Sequence, residues 1–351
     1  MPLRLTPAHL DRLPGEVGRP CYDRARLPVG IVHLGLGAFH RAHQALYTED
    51  ALGIALAPFG IAGVSLRSPA ARDRLAPQEG LFTVAERDAA GDRLRIVGCL
   101  KEILVAPEDP AAVVRRIADP AISIVSLTVT EKGYGHGPAS GSLVFGQPDI
   151  RHDLAHPDRP RSALGTLVAG LDQRRRRGAA PPTVLSCDNL PGNGRMLRGL
   201  TLAYAARRDE ALARWIEAEV AFPCSMVDRI VPATTDDDRR RVAARLGLHD
   251  AAPVVAEPFR QWVIEDRFAG PRPAWDAVGA ELVADVAPFE EMKLRLLNGS
   301  HSALAYLGGL AGLEHIADVV REPDFRAYMR KMMAEEVAPT LAVATDLAAY
   351  Q

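Results

Sequence analysis

Apolar residues follow two rhythms along this chain. Short unbroken apolar runs, bounded by glycine, proline or polar clusters, recur at residues 31–34, 61–66, 81–85, 93–97, 122–129, 183–187 and 283–286. Runs of this length, rich in Val, Ile and Leu, predict strands covered on both faces. Between them, apolar spacing of three and four predicts helices over 38–47, 110–117, 162–175, 192–208 and 209–220. Strand alternating with helix predicts an α/β domain built on a largely parallel, doubly wound sheet. From about residue 288 the strand signals stop, and helical spacing takes over through 292–310 and 325–337. The expected division is therefore a sheet domain over 1–286 and the start of a mostly α-helical domain over 287–351. In the latter, Phe325, Tyr328, Met329, Met332, Met333 and Val337 form an apolar stripe that expects a covering partner. A self-association surface is one such cover. Residues 133–162, rich in Gly, Pro and His, predict an irregular excursion over the sheet.

Composition narrows the classes. With 351 residues, 48% of them apolar, the chain can bury more than one core. A formal net charge of -2, with arginines dispersed among acids, excludes a general nucleic-acid-binding field. The run at 174–177 is all arginine and precedes Gly178, which predicts a solvated helix end complementing the dipole. Cys21, Cys99, Cys187 and Cys224 have no paired or zinc-type spacing, so neither a disulfide framework nor a structural metal is expected. No window approaches the ~18 uninterrupted apolar residues of a membrane span, and a cytoplasmic location is expected.

Two stretches carry candidate chemistry. The run ending at Leu34 leads into Gly35-Leu36-Gly37 and then a helix. Glycines in a strand-turn-helix allow backbone to approach a pyrophosphate at a helix N-terminus. The third glycine of the dinucleotide fingerprint is absent, Phe39 and His40 occupying that region, so the helix packs less closely on the strand. Arg41 either contacts phosphate or, like His40 and His43, caps and packs. Where a ribose-binding acid is expected after the second strand, the chain reads Arg67-Ser68. That leaves NAD and NADP both open, because arginine also accepts a 2′-phosphate.

The second stretch is 290–302. Positive charge in this chain rests almost wholly on arginine, with lysine only at positions 101, 132, 293 and 331. Lysine can surrender its proton in a protein and arginine cannot. At about 100° per residue on one α-helix, Lys293, His301 and Asn298 lie near 0°, 80° and 140°, the arrangement of a proton-transfer site. Ser186-Cys187-Asp188-Asn189 and the segment 128–134 each follow a strand directly, at the sheet edge where ligands of open α/β folds bind. Asp228 and Arg229 add a further charged pair.

Taken together, these motifs resemble the polyol-specific long-chain dehydrogenases, the mannitol dehydrogenase family. The matching stretches are 31–48, 128–134, 186–193, 222–235, 257–267 and 289–310, with Lys-x4-Asn-x2-His at 293–301 the most specific. The resemblance implies a Rossmann-like domain followed by an incomplete helical domain. It also implies metal-independent, NAD-linked interconversion of a sugar alcohol and a ketose, with Lys293 as general base. By the same match, Asn189 and Asn298 would form the oxyanion hole, His301 and Asp228 would orient substrate, and Glu131 would stand by the proton exit. Lys132 is the rival lysine. Gly35, Gly37, Phe39, His40, Arg41 and Arg67 are the cofactor candidates, and Arg229, with Arg260, is a candidate cation for a sugar-acid substrate. The partner expected is a small polyol, ketose or sugar acid. The alternatives are a fructuronate reductase and, in another class, an inactive nucleotide-binding remnant, which the short C-terminus motivates.

Overall fold

The computed structural model describes residues 3–137 and 141–350, without the side chains of Lys132 and Ala349. Part of the predicted excursion, residues 138–140, thus lies outside the described residues. Contacts divide the chain into two units, Met1–Ala284 and Asp285–Gln351.

The first unit holds eleven strands among its described residues: β1 (Val29–Leu34), β2 (Gly60–Ser65), β3 (Phe82–Asp88), β4 (Gly91–Val97), β5 (Leu100–Val105), β6 (Ile124–Leu127), β7 (Thr183–Ser186), β8 (Ser225–Asp228), β9 (Val254–Ala256), β10 (Gln261–Glu265) and β11 (Glu281–Val283). Five form the principal sheet in the order β5-β2-β1-β6-β7, every neighbouring pair parallel. Both faces are covered, as the unbroken apolar runs require. Ile31 packs in one core with Leu46, Ile61 and Trp262, while its neighbour Val32 points into the opposite core with Val64, Leu167 and Leu197. The doubly wound sheet expected from the sequence is present.

The remaining strands correct the reading in detail. β3 and β4 are an antiparallel hairpin, joined in parallel by β9, and β8-β10-β11 form a second small mixed sheet. The hairpin turn is held by the Asp88 carboxylate, which accepts from the Ala90 and Gly91 backbones, with Gly91 at φ +129°. The strand expected at 283–286 ends at Val283. β5, β8, β9 and β10 lay unassigned in the sequence, and β8 and β9 are only four and three residues long.

The helices follow their caps. Asp109 and Ser162 each accept a backbone N–H from the first turn of Pro110–Ile117 and Ala163–Arg176. These two helices meet where Gly170 faces Ile117, a contact with no room for another methyl group. The arginine run ends its helix as expected, with Arg176 and Arg177 exposed, but the reading fails at Arg174, which is 1% exposed. Its guanidinium donates to the carbonyls of Ile117, Asp119, Ile122 and Ala180, so it ties buried chain ends together instead of facing solvent.

The second unit is helical throughout its described elements: Ala287–Met292, the π-helix Lys293–Asn298, Gly299–Leu310, Ile316–Arg321, Pro323–Lys331, the π-helix Met332–Val337, a short 3-10 turn Ala338–Thr340 and Leu347–Tyr350. Leu304, Val319 and Met329 form its small core, with Phe325 and Met332 packed against it. Part of the apolar stripe therefore finds cover within the unit. Tyr328 on that stripe, and Tyr306 and Leu310 on the helix Gly299–Leu310, are exposed. No helix among the described residues is long and apolar enough to cross a membrane.

Candidate active site

At the carboxyl end of β1, Gly35 adopts φ +107°, and a Cβ there would stand 2.0 Å from the Thr128 carbonyl oxygen. Only glycine fits both the dihedral and the space. Gly37 is exposed, and a Cβ on it would meet nothing nearer than Gly35 O at 3.7 Å. The turn is thus closed against the protein at Gly35 and open at Gly37, where backbone can face a ligand. It borders a cleft of about 390 Å³ lined by Gly35, Leu36, Gly37, Ser65–Ser68 and Thr128–Thr130 at the ends of β1, β2 and β6. Arg67 is exposed on its rim. These residues fit a dinucleotide: the glycines admit a pyrophosphate, and the end of β2 meets a ribose.

The helix beyond the turn is not continuous. Ala38–Ala42 and Gln44–Ile54 are separate helices broken at His43, whose φ and ψ are -120° and -92°. Tertiary contacts override local propensity here. The His43 ring stacks on Phe39, meets Tyr47 and Trp262 edge-on, and places Nε2 2.9 Å from Gln261 O. His40 takes the place of the missing third glycine, buried and stacked on His33 with ring centroids 3.5 Å apart. Burial holds both rings neutral, lowering His33 to about 3 and His40 well below its ordinary value. Arg41 donates to Ala252 O and Gly37 O and lies over the Phe82 ring. It braces the turn from the protein side, which answers the open choice between phosphate contact and packing in favour of packing.

Behind the cleft runs a polar layer that the apolar strand reading passed over. Ser126 and Thr128 each lie 2.8 Å from a ring nitrogen of His33. Asp188, 8% exposed, accepts from Val129 N (3.1 Å), Thr130 N (2.9 Å) and Tyr134 Oη (2.6 Å). Tyr134 Oη also lies 2.7 Å from Ser186 Oγ. The side chain of Asn193 bridges Asp188 O to the Ser225 backbone, and Ser225 Oγ donates to Ser186 O. Thr130, with φ +63° and ψ 162°, sits in a region that residues other than glycine rarely occupy. The signal for this layer was present in Ser126, Thr128 and Ser186 inside apolar runs and in Asp188 directly after one.

Two loops and a strand bearing predicted site residues are joined by it: 128–131 with Glu131, 186–189 with Asn189, and β8 with Asp228. Glu131 is mostly exposed, 3.8 Å from His136 Nε2. The Lys132 side chain lies outside the described residues. Arg229 does not belong with the others. Its side chain is 0% exposed, paired with Glu86 at 2.7 Å and donating to Glu257 O and Ala42 O. The guanidinium is consumed in the core and cannot meet a substrate, which corrects its assignment. Arg260 is likewise paired with Asp50 at 2.7 Å, its guanidinium 4.2 Å from the Tyr47 ring centroid.

In the second unit Lys293 is buried at 6% exposure, whereas Asn298 and His301 are exposed. The single α-helix expected here is corrected: Lys293–Asn298 is a π-helix. Its ladder runs i→i+5, so Asn298 stands about one wide turn from Lys293, and such turns gather at functional sites. Among the described residues of the chain, no group of three or more His, Cys, Asp or Glu is arranged for a metal.

A parallel sheet with a ligand-facing glycine turn at its carboxyl edge, in a chain that also carries a helical unit with a buried lysine, defines a dinucleotide-dependent oxidoreductase class. The chain belongs to the mannitol dehydrogenase family. Residues 29–277 match the mannitol dehydrogenase Rossmann domain and residues 285–351 the mannitol dehydrogenase C-terminal domain. It is 50% identical over 340 residues to D-mannonate oxidoreductase of Escherichia coli, covering 95% of this chain and 70% of that one. It is 42% identical to mannitol 2-dehydrogenase of Pyricularia oryzae, covering 97% of this chain and 70% of the relative. Among solved structures, mannitol 2-dehydrogenase of Pseudomonas fluorescens, a ternary complex with NAD and D-mannitol, superposes with a TM-score of 0.90 at 44% identity. That match covers 99% of this chain and 72% of that one.

Proposed function

We propose that the protein interconverts a secondary alcohol and a ketone on an open-chain sugar derivative, of the mannitol–fructose type, with NAD. Lys293 carries the reading: one of few lysines in an arginine-rich chain, buried, and set on a π-turn that also bears Asn298. NAD, when bound along the glycine turn, supplies the hydride acceptor at its nicotinamide. In the oxidation direction Lys293 Nζ takes the hydroxyl proton, and the amides of Asn189 and Asn298 donate to the oxygen as charge develops on it. His301 and Asp228 orient the neighbouring hydroxyls, and Glu131 carries the released proton toward solvent. Gly35 and Gly37 cradle the pyrophosphate, and Arg67 flanks the adenosine ribose.

Reduction of fructuronate is the second reading, favoured by the 50% identity to D-mannonate oxidoreductase. It needs a cation for the substrate carboxylate other than Arg229 and Arg260, both already paired. The test is oxidation of NADH and NADPH with fructose or fructuronate, alongside Lys293→Ala. Lysine-dependent turnover is expected and selects between the two ketones. A folded, NADH-binding protein with no turnover of either would reject both readings and leave a nucleotide-binding chain without catalysis.

A further inference from the structure

Glu131 and Asn189 are each the neighbour of a residue held by one carboxylate. Thr130 precedes Glu131, Asp188 precedes Asn189, and the Asp188 carboxylate bonds Thr130 N and Val129 N from one loop while anchored in the other. The Thr130 backbone is the costly part of this arrangement. A side-chain-bearing residue at φ +63°, ψ 162° persists only where its surroundings over-determine it. Here they do: two charge-assisted bonds fix the peptides on either side of Val129, and Tyr134 Oη closes the loop on the same carboxylate at 2.6 Å. Among the described residues no cation pairs with the carboxylate, and its bonding is devoted to that loop. From this geometry we propose that Asp188 is a positioning residue that holds Thr130 strained, and thereby sets Glu131 and Asn189 for proton transfer. The inference rests on the proposed dehydrogenase function.

The carboxylate is the active element because it accepts from both backbone amides at once. An amide at position 188 turns a donor toward one of them and loses that bond. Asp188→Asn is expected to lower kcat by at least tenfold while the polyol KM stays within threefold. Because the effect passes through Glu131, Glu131→Gln should cost far less in the Asp188→Asn background than in the native one. Removing the strain should also help: Thr130→Gly in the Asp188→Asn background recovers at least threefold in kcat, an effect that general loss of stability would not produce. If Asp188→Asn fails to fold, Tyr134→Phe, which leaves both backbone bonds, is expected to lower kcat threefold or more. Native-level kcat in the variant that folds, or fully multiplicative losses with Glu131→Gln, would overturn the proposal. If the unmodified protein turns over no polyol or ketose, the functional reading falls, and amide exchange still decides whether the clamp exists. Val129 and Thr130 should then exchange at least tenfold faster in Asp188→Asn, with Val125 and Leu127 unchanged. Equal protection would overturn it.

Discussion

Alanine at Gly37 and alanine at Gly35 separate cofactor binding from folding. At Gly37 the added methyl has no protein atom nearer than 3.7 Å, so the fold should not notice it. The open side of that position faces the cleft, and the methyl occupies the space through which backbone approaches a phosphate. Losing one charge-assisted contact costs about 1.5–3 kcal/mol. That is roughly a 10- to 100-fold rise in the NADH dissociation constant, with the unfolding temperature unmoved. At Gly35 the methyl would stand 2.0 Å from the Thr128 carbonyl, on a residue already at φ +107°. Dihedral strain alone is on the order of 1–3 kcal/mol, and the carbonyl must also move. Stability should therefore fall by about 2–4 kcal/mol, together with cofactor affinity. Fluorescence titration with NADH and thermal unfolding, run on both variants, read the two effects. Gly37→Ala that binds NADH within twofold of the unmodified protein would refute the cradle.

Three further outcomes are expected. Lys293→Ala should reduce kcat by on the order of a thousandfold and leave NADH affinity within a few-fold, because the lysine acts on the developing alkoxide; equal losses in both would remove it from that role. Arg229→Met takes from Glu86 the buried one of its two guanidinium partners, leaving Arg93, and frees the carbonyls of Glu257 and Ala42, so it should destabilise the protein by about 2–4 kcal/mol in denaturant unfolding without a selective rise in substrate KM. Glu49 accepts from Tyr22 Oη, Gly98 N and Cys99 N, and burial raises it from 4.5 to about 7. Its folded-state value lies above the unfolded one, so its favourable contribution is complete below about pH 4.5 and is lost as pH rises through 7. Glu49→Gln should then narrow the stability difference between pH 5 and pH 8 by up to about 3 kcal/mol, and an unchanged pH dependence would contradict the raised value.

The parallel sheet was legible because strands buried on both faces, such as Ile31–Leu34 within β1 and the run in β2, leave unbroken apolar runs. The small sheets were not. β8 is a four-residue strand with a serine at one end and an aspartate at the other, and its place is set by pairing with β10 far along the chain. The break at His43 is likewise tertiary, since nothing in 38–54 announces a histidine drawn toward Gln261 and Trp262. Charge misled twice in the same way. Arg229 reads as an available cation and Arg174 as part of a solvated helix end, yet each is sequestered by carbonyls or a carboxylate that sequence spacing cannot reveal. Around the candidate site, residue types pointed to the loops at 128–131 and 186–189, but not to the carboxylate joining them. Asp188 was visible only as part of a motif, because its partners are backbone amides, which carry no letter in a sequence.

Arg174 acts at the other end of the same strands. Its carbonyl partners lie on the approaches to β6 and β7, the neighbouring strands whose far ends open into the Glu131 and Asn189 loops. Sliding one parallel strand by a single residue would carry its loop about 3.3 Å along the sheet. By pinning where both strands begin, one guanidinium fixes their mutual alignment, and with it the spacing of two loops that it never touches. Every hydrogen bond described for it ends on a backbone carbonyl, a group that does not titrate. The alignment of the catalytic edge is thus entrusted to a residue on the opposite rim, where a sequence search for function would not look.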